Sequence, residues 1–143
     1  WCHLVVTYDG TIVRTYIDGV AGGTSAYSTI LNNYSNIQIG GEDGNVNYTV
    51  DAEIKDFAIF STALPASEIA RIHAAGRDAN VREVAKFKQL DFDGTDYVDM
   101  GSPTNLLIGS TDFSVGFWAR FGSSVNQWLV RLQKHLKQIP VLH

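Results

Sequence analysis

The chain has a single cysteine, Cys2, in 143 residues. No internal disulfide can form, so the fold rests on packing and hydrogen bonding, and one thiol does not identify a redox compartment. Its plain reading is a small buried apolar side chain. Proline is scarce, with three residues against thirteen glycines. That balance excludes a Pro-rich linker and suits short strands joined by tight turns. No run approaches the ~18 consecutive apolar residues of a membrane-spanning helix. Positive charge is in short supply: 11 Lys and Arg stand against 15 Asp and Glu, for a net charge of −4. Such a balance supplies no general attraction to nucleic acid or to an anionic membrane. The sequence also lacks a Gly-x-Ser-x-Gly elbow, a zinc-spaced set of Cys and His, and a phosphate-cradling glycine loop that opens a helix. No signal peptide is visible, and the chain opens in the middle of a β-meander, which reads as a piece of something longer.

What is present is a folded composition, 45% hydrophobic and 18% charged, long enough to bury a core as one domain. Residues 3–8 and 12–17 alternate with period two in branched and aromatic side chains, which predicts strands. Asp9-Gly10 and Asp18-Gly19 close the two runs with residues that accept positive φ. Residues 20–27 predict a third strand, loosened by Gly22 and Gly23. Residues 36–40 predict a short strand, followed by a polar loop from Glu42 to Asn47. Residues 52–61 predict a half-buried strand, with Phe57, Ile59 and Phe60 buried on both faces near its end. A helix follows: Pro65 suits its first turn, Glu68 its N-terminal dipole, and Gly76 its stop. Ile69, Ile72 and His73 share one helix face, with Leu64 placed to staple the entry. Residues 77–89 read as a linker or short helix. Residues 90–100 are strand-like, broken at Asp93-Gly94, and residues 112–121 alternate strongly. After Asp112 no acidic residue occurs. Leu129, Leu132, Leu136 and Ile139 follow helical spacing, which predicts an amphipathic helix or a disordered end.

Five segments in family order, followed by a restart, together resemble the laminin-G-like branch of the concanavalin A-like jelly roll, and more distantly the pentraxins. Trp1-x-His3-Leu4-Val5-Val6-Thr7-Tyr8-Asp9-Gly10 is similar to that family's Trp-His strand, and the strand ending in Ile17-Asp18-Gly19 to its next one. Ile39-Gly40-Gly41 is similar to its Ile-Gly-Gly turn. Ile54 to Phe60 with Ala63-Leu64-Pro65 is similar to its closing strand and helix. The family's opening elements come afterwards: Leu90-Asp91-Phe92-Asp93-Gly94 resembles the first strand, Phe113 to Phe121 the second, and Asn126 to Val130 the start of the third. The resemblance implies an all-β, two-sheet antiparallel jelly-roll sandwich with one short helix after the closing strand. It also implies a division in which residues 1–76 are the C-terminal part of a module, 77–89 a linker, 90–130 an N-terminal part, and 131–143 a divergent tail. Residues 90–130 either complete the first part, as in a circular permutant, or begin a second copy in a tandem array.

Function is implied by the resemblance, not by composition. A non-catalytic extracellular module at a cell or virion surface, binding a glycan or a cell-surface protein, is the expected reading; the alternative is a structural repeat of a surface adhesin or phage tail protein. Relatives hold calcium through hard oxygen donors in rim loops, so Glu42, Asp43 and Asn45 are candidate calcium ligands, although the same residues suit a solvated turn around Gly44. Tyr16, Tyr34, Asn45, Asn47 and Tyr48 are candidate ligand-binding residues, because aromatic rings stack on sugars and amides bond hydroxyls; Tyr16 also suits a sheet-covering role. Trp1, Trp118 and Trp128 read as core. Asp51 and Glu53 share a strand face, but Lys55 follows on it and the run of carboxylates that glycoside hydrolysis needs is missing.

Overall fold

Phe113, Val115, Phe117 and Ala119 alternate along a strand that would expose them all unless it lay against something apolar. The computed structural model, which describes residues 1–26, 37–41, 50–77, 85–93, 95, 98–99, 112–122 and 130–132, puts that strand inside a sheet. The elements in chain order are β1 (Cys2–Tyr8), β2 (Ile12–Ile17), β3 (Val20–Ala26), β4 (Ile37–Ile39), β5 (Asp51–Phe60), α1 (Ala66–Ala75), β6 (Ala85–Asp93), β7 (Val98–Asp99), β8 (Phe113–Phe121) and β9 (Val130–Leu132). They form a sheet of six strands, ordered β3-β2-β1-β8-β5-β6, and one of three, ordered β7-β4-β9. The fold class is all-β and antiparallel, with one short helix after the closing strand.

The chain divides into two compact units. The first comprises residues 1–32, 54–90 and 106–119; the second comprises 33–53, 91–105 and 120–143. Each unit therefore draws on residues from before position 77 and from after position 89.

In the first unit, β1 and β2 make a hairpin in which Leu4 faces Ile17 and Tyr8 faces Val13. Its turn is built by Asp9, whose Oδ1 accepts the Thr11 N–H at 3.0 Å, the Thr11 hydroxyl at 2.8 Å and the Ile12 N–H at 2.8 Å. The Arg14 guanidinium on Oδ2 and the backbone donors hold the Asp9 carboxyl far below the usual carboxylate range. The next turn uses positive φ at both Asp18 (49°) and Gly19 (78°), the backbone of a type I′ hairpin.

β8 runs antiparallel to β1 over seven pairs, from Cys2 opposite Ala119 to Tyr8 opposite Phe113. Phe113, Val115, Phe117 and Ala119 are all buried. The Phe117 ring stacks on Phe57 of β5 at 5.9 Å, and Phe113 meets Tyr8 at 5.8 Å. Ser114 is fully enclosed; its Oγ donates to the Thr62 carbonyl and accepts the Leu64 N–H, both at 2.8 Å. A single hydroxyl thus fastens the chain leaving β5 to the strand beside it.

β5 carries an irregularity. Ala52 and Ile54 are buried at alternate positions, and Phe57, Ala58 and Ile59 are then buried in succession, so both faces are covered near the end of the strand. Asp56 sits between them at a φ of 50°. One residue in the left-handed region interrupts the regular strand there, and Asp tolerates it better than a β-branched residue.

Helix α1 starts where Pro65 offers its carbonyl to the N–H groups of Glu68 and Ile69, at 3.0 and 3.1 Å. It stops at Gly76, whose φ of 80° lets its N–H return to the His73 carbonyl at 3.0 Å. Glu68 and Arg71 form an ion pair on the exposed side at 2.6 Å. The buried side brings Ile69 against Val5 and Tyr16, with Leu64 packed on the same cluster.

Three expectations need correction. Residues 85–89 are strand, not linker or helix: the alternation of Lys86 and Lys88 with Ala85 and Phe87 is a strand pattern obscured by charge. Residues 130–132 are strand, not helix, because Val130, Arg131 and Leu132 pair with Ile39, Gln38 and Ile37. Trp1 is not core: it is 36% exposed, with the Arg77 guanidinium 4.7 Å and the Lys55 ammonium 5.9 Å from its ring centre. Trp118 is half-buried, and Trp128 lies outside the described residues.

Phe117→Ala is expected to lower stability by about 3–5 kcal/mol, the range for deleting a buried Phe ring. Denaturant melts followed by circular dichroism check this, and a loss below about 1 kcal/mol would show that β8 is not packed as described.

Candidate functional site

Most of the candidate ligands fall between Gly41, just after β4, and Val50, just before β5. Both ends are fixed. The Val50 N–H donates to the Gly40 carbonyl at 2.9 Å, and Ile39 and Val50 are fully buried. Gly40 has a φ of 86°, and a Cβ built there would fall within 3.0 Å of the Phe92 ring. The base therefore needs glycine twice over, for its backbone conformation and for the closeness of the ring. Sequence reading identified the Ile-Gly-Gly turn but not the aromatic lid on it, since Phe92 lies 52 positions away.

Glu42, Asp43, Asn45, Asn47 and Tyr48 lie on the span between these fixed ends and, like Tyr34, outside the described residues. Two carboxylates and an amide within four positions are a hard-oxygen donor set that suits calcium. Tyr16 is described, and it is buried at 6% exposure against Val5 and Ile69. Its ring covers the sheet beneath α1, so the structure does not bring it to a surface with the others.

In the second unit, Gln38 is 1% exposed, and neither its side-chain oxygen nor its nitrogen has a hydrogen-bond partner. Gln38 stands at the middle of the three-stranded sheet, opposite Asp99 on β7 and Arg131 on β9. A buried amide left in this state is costly unless water or another group reaches it.

Asp51 and Glu53 are held in place. The Asp51 carbonyl accepts the Gly122 N–H at 3.0 Å, and the Asp51 carboxylate lies close against Gly122, so that a Cβ there would displace it. Glu53 is paired with Arg120. The remaining turn aspartates serve the backbone: Asp18 Oδ1 accepts the His3 N–H at 2.8 Å, and Asp93 Oδ1 accepts the Thr95 N–H at 2.9 Å. Among the described residues, no three His, Cys, Asp or Glu side chains are arranged to hold a metal ion. Nor is any helix there long and apolar enough to cross a membrane.

The first unit contains a cluster that sequence reading missed. His3 is 3% exposed and stacks on Trp118 at 5.0 Å and on His73 of α1 at 5.9 Å; His73 meets Trp118 at 5.5 Å. Burial, then the neighbouring His73, lower the His3 pKa to about 4, with Asp18 opposing them. Next to it the Cys2 thiol is pushed up, first by burial and then by Asp18. The signal for this cluster was the Trp-His strand opposite a Trp-bearing strand, but only the β1–β8 register reveals that His3 and Trp118 face each other.

Gly40→Ala is expected to destabilise the protein by about 2–4 kcal/mol, combining left-handed strain with displacement of the Phe92 ring. Thermal melts measure it; an unchanged midpoint would contradict the tight base.

Comparison with known proteins gives one family. Residues 1–70 match the laminin-G-type model of the concanavalin A-like lectin/glucanases superfamily. Neither the curated proteins nor the solved structures contain a match.

Proposed function

With residues 1–70 belonging to a laminin-G-like domain of the concanavalin A-like superfamily, we propose that the chain is a non-catalytic recognition module that binds a glycan or protein ligand at a cell or virion surface. Superfamily membership carries this reading, since such domains are generally binding modules; fold alone does not fix a ligand. The bond between Gly40 and Val50 supports it, because a segment with pinned ends presents its side chains at lower entropic cost than a free one. Tyr34, Asn45, Asn47 and Tyr48 are the proposed contacts. Tyr16, being buried, acts by supporting the sheet. Glu42, Asp43 and Asn45 are the proposed calcium donors.

A glycan array read with millimolar calcium and again with chelator tests this. Calcium-dependent binding, lost in the Glu42→Ala/Asp43→Ala variant without a change in calcium-free melting, is the expected result. No glycan bound, no calcium-induced rise in melting temperature and no cell-surface protein retained would contradict it and favour a structural repeat of an adhesin or phage tail.

The same reading includes the order of the segments. Residues 1–76 are the later part of one module and residues 90–130 the earlier part, joined in reverse through residues 77–89. The position of β8 between β1 and β5 supports this. A rearranged chain with residues 90–143 placed before residues 1–89 is expected to unfold cooperatively, with the same far-ultraviolet dichroism. A rearranged chain lacking strand signal would count against the permuted order.

A further inference from the structure

Helix α1 is held by an unusual seat. One part is apolar: Ile69 against Val5 and Tyr16, with Leu64 alongside. The other is a stack of His73 on Trp118 and His3. The Asp18-Gly19 turn lies directly against the helix, since a Cβ at Gly19 would come within 3.3 Å of the Ala70 Cα and of His73. His3 Nδ1 is buried without a hydrogen-bond partner. It borders a crevice of about 20 Å³, lined also by Asp56, Ile72, Gly76 and Trp118, which is room for about one water.

We propose that α1 is an acid-released clasp: a proton taken up by His3 puts a cation beneath the helix beside His73, and α1 leaves the sheet while the strands remain paired.

The charged and titratable groups around His3 set the direction. Cys2 adjoins it on β1, and His73 approaches from α1 at 5.9 Å. Asp56 of β5 borders the crevice. The Asp18 Oδ1 is engaged by the His3 backbone N–H at 2.8 Å and lies 3.8 Å from His73 Nε2. Asp18 therefore moderates the effect without cancelling it, consistent with a His3 pKa of about 4 in the docked state against 6.5 when free. The folded-state value is depressed for a base. The docked state is therefore favoured fully above about pH 6.5, and that advantage is lost as pH falls toward about 4. Across that window the released state binds up to one more proton than the docked one, so the opening equilibrium rises by up to about tenfold per pH unit. A ten-residue helix has little stability of its own in water, so release appears as local opening of α1.

Amide hydrogen exchange between pH 7 and pH 4.5, expressed as protection factors, tests the clasp. In the wild-type chain, protection of the α1 amides is expected to fall by up to about tenfold per pH unit below about 6.5, while that of β1 and β8 amides holds. In His3→Phe, which keeps a neutral ring, α1 protection is expected to stay level with pH. An NMR titration of the His3 ring in the wild-type chain is independent of that variant's folding: His3 is expected to titrate near pH 4, at the low end of the range over which α1 protection falls. Loss of α1, β1 and β8 protection together, a level α1 profile in the wild type, or His3 titrating near 6.5 with α1 still protected would each overturn the proposal.

Discussion

Everything described in the first unit depends on β8 lying between β1 and β5. Bringing Cys2 to Ala119 closes a span of 117 residues, and that closure must be offset before any pairing gain appears. The compensation is concentrated in one strand. Phe113, Val115, Phe117 and Ala119 bury one face against the core, at about 1.5–3 kcal/mol for each of the larger side chains, while backbone bonds fill both edges. Without β8, β1 and β5 would each present an open edge and an uncovered apolar face, the arrangement that invites association with other chains.

The helix seat inherits this dependence. His3 meets Trp118 because the β1–β8 register places them opposite each other, and His73 then stacks on both. The Ser114 hydroxyl fixes the Thr62–Leu64 segment from which α1 departs. A slip of one residue in the register would turn every side chain of β8 to the other face, removing Trp118 from His3 and Ser114 from the loop together. In the second unit the corresponding constraint is local. Gly40, closed under Phe92 and bonded to Val50, sets where residues 42–49 start and finish.

Local patterns were legible in the sequence. The Asp-Gly turns, the alternation in β1, β2 and β8, and the Pro65 and Gly76 limits of α1 all depend on residues a few positions apart. What stayed hidden depended on distant partners. Alternation in β1 did not say which face is buried; His3, Val5 and Thr7 prove to be the enclosed set, because α1 and β8 bring cover to that side. Tyr16 suited both a ligand platform and a core position, and burial under Ile69 made it core. Trp1 had the composition of a core residue but lies half-open beneath Arg77 and Lys55. The left-handed backbone at Asp56 could not be read either, since nothing in the local pattern marks it.

Isotope-filtered NMR tests the β1–β8 pairing most directly, using a sample that mixes labelled and unlabelled chains so that contacts within one chain are separated from contacts between chains. Cross-strand contacts between Val6 and Val115 and between Leu4 and Phe117, all within one chain, are what the account predicts. Their absence, or their appearance only between differently labelled chains, would contradict it.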